Sequence, residues 1–244
     1  MKQHEAVIQV MEENGGYATL GHLYQNVLKI SECQWKTKTP FASMRRIVQD
    51  DRFFFKIKPG LWGLKSHKHL LPSEMLPSKK KKLENVEFTH SYYQGLLVQL
   101  GNLKKYQTCV PPQDKNKVFI KETKLSELAS LSSIHPFSYS HIVKKAETVD
   151  VVWFNERNMP NSIFEVEHST NIKNSLIKFV ELQDFRTEMF IIADEARKRQ
   201  FQDILKLNAF VSIRGNVKFR SYKQISDYHT QTSRFIAIEN EFNK

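Results

Sequence analysis

Cysteine is nearly absent from this chain of 244 residues, and the two present, Cys33 and Cys109, stand apart. Neither belongs to a CxxC pair or has a histidine at zinc-ligand spacing, which excludes a disulfide scaffold and a zinc finger and leaves two ordinary thiols. Long apolar runs are missing too. No stretch could span a bilayer, and the opening "MKQHEAVIQVMEENGG" has acids where a secretory signal needs an apolar core. A soluble, cytoplasmic protein is the expectation. No repeat of solenoid or propeller period occurs, and neither the RNP aromatic pattern nor a GXXG clamp is present, which lowers an RNA-binding reading. Acids are outnumbered, 26 Asp and Glu against 37 Lys and Arg, for a net charge of +11 and a pI near 9.5. That balance points to a polyanionic partner, nucleic acid before an anionic membrane surface.

The remaining pattern divides in two. Residues 66–88, "SHKHLLPSEMLPSKKKKLENVEF", break the patterning with prolines, serines and the run Lys79 to Lys82, and read as a basic linker. Ahead of it, residues 1–65 hold three expected helices. "HEAVIQVMEENGG" places Val7, Ile8 and Met11 at helical spacing, and "LGHLYQNVLKI" comes next. A third begins at Thr39-Pro40, with Thr as N-cap and Pro at N1. Its apolar face carries Phe41, Met44, Ile47 and Val48; Ser43, Arg46 and Gln49 lie opposite, with Arg45 at the flank. "RFFFKIKPGLWGLK" then reads as a hairpin turning at Lys58-Pro59-Gly60. Three helices and a hairpin make a winged helix-turn-helix.

The segment "KTKTPFASMRRIVQDDRFFFKIKPGLWGL" resembles the end of a HARE-HTH domain, a winged-helix module attached to restriction enzymes and chromatin proteins. The resemblance covers about the first quarter of the chain. It implies contact with duplex DNA through Ser43, Arg45, Arg46, Gln49 and Lys58. The competing reading is a protein–protein module with solvated arginines.

Residues 89–244 are expected to be α/β or α+β. "THSYYQGLLVQLGNLKKY" is a helix with Tyr93, Leu96, Leu97, Leu100 and Leu103 on its buried side. "QTCVP" and "KVFI" read as short strands and "KLSELASL" as a short helix. "TVDVVWF" and "SIFEVEHS" flank the turn-rich "NERNMPN" as one hairpin. "NIKNSLIKFVELQDF" is a helix, "EMFIIA" a buried strand, "DEARKRQFQDILKL" a helix and "AFVSI" a last core strand.

Strand alternation puts Glu165 and Glu167 on one face, with Phe164, Val166 and His168 on the other. A hairpin turn near Asn158 brings Asp150 beside Glu165 or Val166. Three clustered carboxylates raise one another's pKa and are costly without a cation. Hard oxygen ligands fit Mg2+, with Mn2+ as a substitute, and such a site suits hydrolysis of a phosphodiester. A solvated charge pair is the alternative for an E-x-E alone. Against it, the apolar flanks imply a sheet covered on both faces. His168 is expected to be structural, and Ser169, Thr170 and Asn171 to cap the next helix.

Asp150, a loop, then Glu165-Val166-Glu167 resembles the PD-(D/E)XK nuclease core. More closely, residues 90–210 are similar to bacterial restriction-endonuclease-like proteins with an aspartate-bearing "DVLW" strand and an "FEVEHTT" strand. The resemblance implies Asp150, Glu165 and Glu167 as metal and catalytic positions. Glu167 stands where lysine is usual, so the group that activates water is left among Glu167, Lys173 and Lys178. Gln94 is the nearest polar substitute for a first-helix acid, and Asp114 is an outlying candidate. The resemblance further implies a Mg2+-dependent Type II restriction endonuclease acting on double-stranded DNA as a homodimer, with a cognate DNA methyltransferase as companion. The runner-up is a non-cleaving winged-helix regulator or a degenerate nuclease.

Overall fold

The computed structural model describes residues 1–72, 75, 82–168 and 171–243. Lys79, Lys80 and Lys81 of the lysine run, and Ser169 and Thr170, lie outside the described residues. The chain divides into two compact units: Met1–Asn85 with Ser226–Lys244, and Val86–Ile225.

In the first unit α1 (Gln3–Glu13), β1 (Tyr17–Thr19), α2 (Leu20–Asn26) and α3 (Pro40–Ile47) lead into the hairpin β2 (Phe54–Lys58) and β3 (Leu61–Leu64). The sheet is antiparallel in the order β1-β3-β2. Gly60 turns the hairpin with φ +75°, a left-handed conformation that glycine adopts without a Cβ clash. Thr19 caps α2 by accepting from His22 N at 3.1 Å. Thr39 holds the cap position of α3, but its side chain makes no capping bond. Thr37 engages Thr39 instead, its hydroxyl accepting from Thr39 N at 3.1 Å. Ala6, Val7, Val10, Met11, Leu23, Met44 and Phe54 form the core, with Cys33 buried among them.

The second unit, from Val86, holds most of α4 (Lys82–Leu103), which begins inside the stretch expected as linker. From Tyr92 to Val98 every residue is buried, far more than the single apolar face expected. Gly95 explains part of this: a Cβ there would lie 2.1 Å from Phe119 Cδ2, so its absence lets the ring press against the helix. Then come β4 (Gln107–Cys109), the ribbon β5 (Val118–Ile120) and β6 (Thr123–Lys124), one-turn α5 (Leu125–Leu128) and α6 (Ser140–Ala146). The hairpin β7 (Val151–Phe154) and β8 (Pro160–Glu167) is next, then α7 (Ile172–Val180), β9 (Glu188–Ala193), α8 (Lys198–Leu205), β10 (Val217–Ser221) and α9 (Tyr222–Phe242). A five-stranded mixed sheet runs β10-β9-β8-β7-β4, parallel from β10 to β8 and antiparallel thereafter. This is the mixed α+β class that the sequence implied.

Several elements differ from expectation, and α6 was not expected. "AFVSI" is not a strand: Asn208–Phe210 is a 3-10 turn, and only Phe210 and Ile213 of the run are buried. Its apolar spacing is three, which suits a turn, while Val217, Phe219 and Ser221 alternate inward and make β10 the last strand. The C-terminal helix α9 was not expected, and its residues from Ser226 pack with the first unit rather than within 89–244.

Candidate active site

Strand β8 is central, flanked by β7 and β9, and Ser162 through Glu167 are all buried. Its side chains alternate. Phe164 stacks on Phe190 at 5.0 Å and tilts against Trp153 at 4.6 Å, on the face where Trp153 Nε1 donates to the Leu97 carbonyl of α4. Ile163 joins the opposite core with Leu176 and Phe179 of α7. Glu165 and Glu167, 3% and 4% exposed, share that α7 side and both accept from the Ser175 hydroxyl, Glu165 at 3.0 Å.

Asp150 is 8% exposed at the foot of β7. Its Oδ2 accepts from Val166 N at 2.7 Å, so the hairpin does place it beside the E-x-E stretch. The charge partners then divide. Lys178 Nζ lies 2.9 and 3.0 Å from the two Glu165 oxygens and also donates to Thr148 O. Arg197 donates to the Glu167 carbonyl at 2.9 Å and stands 3.9 Å from its carboxylate. Lys173 is exposed on α7; among the described contacts it is Lys178, one turn and a residue further on, that meets Glu165. Burial, then the Asp150 charge, push the Glu165 carboxyl up to about 8, while Lys178 and Ser175 hold it down against both.

On the other side of Asp150 the structure brings Gln94 and Asp114 together with residues that local patterning passed over. His90 Nε2 is 3.1 Å from Asp150 Oδ2. Gln94 Nε2 donates to Asp114 Oδ2 at 2.7 Å and to the Asp150 carbonyl at 3.2 Å, and Lys117 pairs with Asp114 at 2.7 Å. Burial alone would lower the His90 imidazole; the hydrogen-bonded Asp150 carboxylate outweighs it and holds the ring above its ordinary value. Asp114, the outlying candidate, is 3% exposed and part of this cluster. His90 was missed altogether, although its place one turn before Gln94 on a buried helix was a readable signal.

His168 is half-buried, its Nδ1 3.3 Å from the Tyr222 hydroxyl, whose ring stacks on Tyr93 at 3.9 Å. It is thus tied into an aromatic stack. Asn171 caps α7 by accepting from Lys173 N at 3.0 Å. In the first unit, Arg45, Arg46 and Gln49 are placed on and just after α3, all three exposed, and the half-buried Ser43 donates its hydroxyl to the Thr39 carbonyl. Lys58, near the hairpin turn, is half-buried, and burial lowers its ammonium pKa.

The family description "Type II restriction enzyme NmeDI C-terminal domain" matches residues 70–243. The chain belongs to that family. The match takes in α4 through α9 and therefore every residue of the carboxylate site, while residues 1–69 lie outside it. Type II restriction enzyme NmeDI of Neisseria meningitidis serogroup C is 25% identical over 140 residues, covering 52% of this chain and 40% of the relative. The chain thus spans less than half the length of that relative. No solved structure gives a significant match.

Proposed function

We propose that the chain is a Mg2+-dependent, site-specific double-stranded DNA endonuclease, a Type II restriction enzyme with a PD-(D/E)XK-type core. The observation that carries this reading is Glu165: a carboxylate 3% exposed, its pKa raised by burial and then by the Asp150 charge, and met by Lys178 Nζ at 2.9 Å. Two buried acids with a lysine beside them form an arrangement that suits metal-assisted phosphodiester hydrolysis. The family membership and the +11 charge support the same reading.

Carboxylate oxygens are the donors a hard cation takes. Asp150 and Glu165, with Glu167, would hold the ion. When bound, Mg2+ lowers the pKa of water and neutralises charge on the scissile phosphate. The chain's own groups do the rest. Lys178 lies where its ammonium can orient the nucleophilic water or stabilise charge that develops on phosphate oxygens. Ser175 fixes the two glutamates relative to each other, and Arg197 anchors the end of β8. By analogy with the family, the ends left are 5′-phosphate and 3′-hydroxyl.

The first unit is read as a HARE-HTH-like winged helix, with Ser43, Arg45, Arg46, Gln49 and Lys58 on its DNA-facing side. A two-fold homodimer would match a palindromic site. A cognate DNA methyltransferase would protect the host. The proposed compartment is the cytoplasm; no helix among the described residues is long and apolar enough to cross a membrane.

One observation favours the alternative of a degenerate, DNA-binding nuclease relative. Ser175, Lys178 and Arg197 already satisfy both glutamates, so that half of the cluster is compensated by protein groups. Incubation with unmethylated plasmid and Mg2+ decides between them. Discrete fragments that disappear with Glu165→Ala are expected; intact DNA with both proteins would leave the binding-only reading.

A further inference from the structure

His90 and Gln94 are four residues apart on α4 and share one face of it. Facing them are Asp114, from the 3-10 turn Pro112–Asp114, and Asp150. One imidazole nitrogen and one oxygen from each carboxylate lie within 4.8 Å of one another. Protein donors compensate the two acids in part: Lys117 on Asp114 at 2.7 Å, Gln94 Nε2 on Asp114 at 2.7 Å, Val166 N on Asp150 at 2.7 Å.

Gln94 supplies the second, independent observation. It is 0% exposed, and its Oε1 is buried without a hydrogen-bond partner. The two ends of a carboxamide exchange places by rotation about the terminal bond. Rotated, Oε1 would occupy the position that Nε2 now holds between Asp114 Oδ2 and the Asp150 carbonyl. A cation bound between these oxygens makes an oxygen acceptable there and gives the orphaned acceptor a partner.

We propose that His90, Asp114 and Asp150, with Gln94 Oε1 as a neutral fourth donor, form a divalent-cation site that prefers a transition metal of the Mn2+ class over Mg2+ and Ca2+. The imidazole sets the preference. Mg2+ and Ca2+ take oxygen ligands and gain little from a nitrogen, whereas first-row transition metals bind imidazole and carboxylate together. The site shares Asp150 with the catalytic reading above and rests on that reading only for its use in cleavage. Nucleic acid is not needed for it to fill.

The test is Mn2+ binding to the full chain, freed of metal by chelation, followed by electron paramagnetic resonance. Bound Mn2+ is expected to show coupling to one 14N nucleus and to require at least about tenfold more Mg2+ than Mn2+ for displacement. His90→Ala removes the coupling and weakens Mn2+ binding about tenfold or more while Mg2+ affinity holds. Asp114→Asn weakens both metals. Bound Mn2+ without 14N coupling in the unaltered chain, a measurement needing no variant, would overturn the site; so would failure to bind Mn2+, or equal displacement by both ions. Plasmid cleavage by the same preparations separates the two proposals. His90-dependent Mn2+ binding without cleavage leaves the site and removes the nuclease, and cleavage with His90-independent Mn2+ binding does the reverse.

Discussion

In the first unit Arg45 and Arg46 stand in solvent on the outer side of α3, whereas in the second Asp150, Glu165 and Glu167 are each less than a tenth exposed. Exposed cations keep their hydration and act through screened, long-range attraction, so they suit capture of a polyanion without altering its chemistry. Buried anions have exchanged water for fixed partners, and their protonation depends on what those partners are. The first unit does bury an ionisable group, His229 of α9, at 4% exposure, and there burial pushes the imidazole down to about 4. Burial in the second unit leaves Glu165 at about 8, with a lysine and an aspartate both contesting its charge. The same desolvation settles one group as neutral and holds the other near the point of change.

The contrast breaks most sharply at Glu165. Glu165→Gln keeps the shape and the Ser175 contact but removes the titrating group, and plasmid cleavage should fall on the order of 10³-fold with DNA affinity nearly unchanged. Loss of binding in a gel-shift assay alongside loss of cleavage would mean that this carboxylate is structural. His229 comes next. An imidazole near 6.5 when unfolded and about 4 when folded makes the unfolded chain bind more protons between those values. Stability is therefore complete above pH 6.5 and declines as pH falls toward 4, by about 3 kcal/mol in all. Urea melts across that window should show the decline, and His229→Gln should flatten it.

Lys178→Met is expected to reduce cleavage about 10²-fold, since the ammonium beside Glu165 is lost. Lys173→Met should leave the rate nearly unchanged, and an equal loss in both would place the active lysine wrongly. The smallest effect belongs to the exposed pair. Arg45→Ala with Arg46→Ala should weaken DNA binding about tenfold at 0.1 M salt and lower the slope of log K against log salt by about 0.9 for each phosphate contact removed. No change in slope would make α3 a protein-facing helix.

Local period carried much of this architecture. Alternation along "FEVEHS" was enough to pair Glu165 with Glu167, and hydrophobic spacing located α3 and the hairpin after it. "AFVSI" misled because five mostly apolar residues satisfy a strand by composition, while the buried ones, Phe210 and Ile213, are three apart. There Arg214 reaches back to the carbonyls of Leu205, Lys206 and Leu207 and secures the turn, a long-side-chain contact that periodicity does not register. His90 stayed hidden, and Asp114 stayed no more than an outlying candidate, for a related reason. They are 60 and 36 residues before Asp150 in sequence, and only the packing of α4 brings them to it. Gln94 stands out in the sequence as a missing acid, and its real significance lies in the acid it holds, Asp114.

Gly95 gives that packing its tolerance. With Phe119 seated where a Cβ would be, α4 works like a shaft in a close bearing, and it can neither slide nor roll without driving the ring outward. The ring belongs to the strand that comes after Asp114, whose own carbonyl is tied to Lys117 N at 2.9 Å, so the displacement would carry through to the acid. A single methyl group at position 95 is therefore a spacer inserted between His90 and Asp114. It would open the donor set without touching any donor.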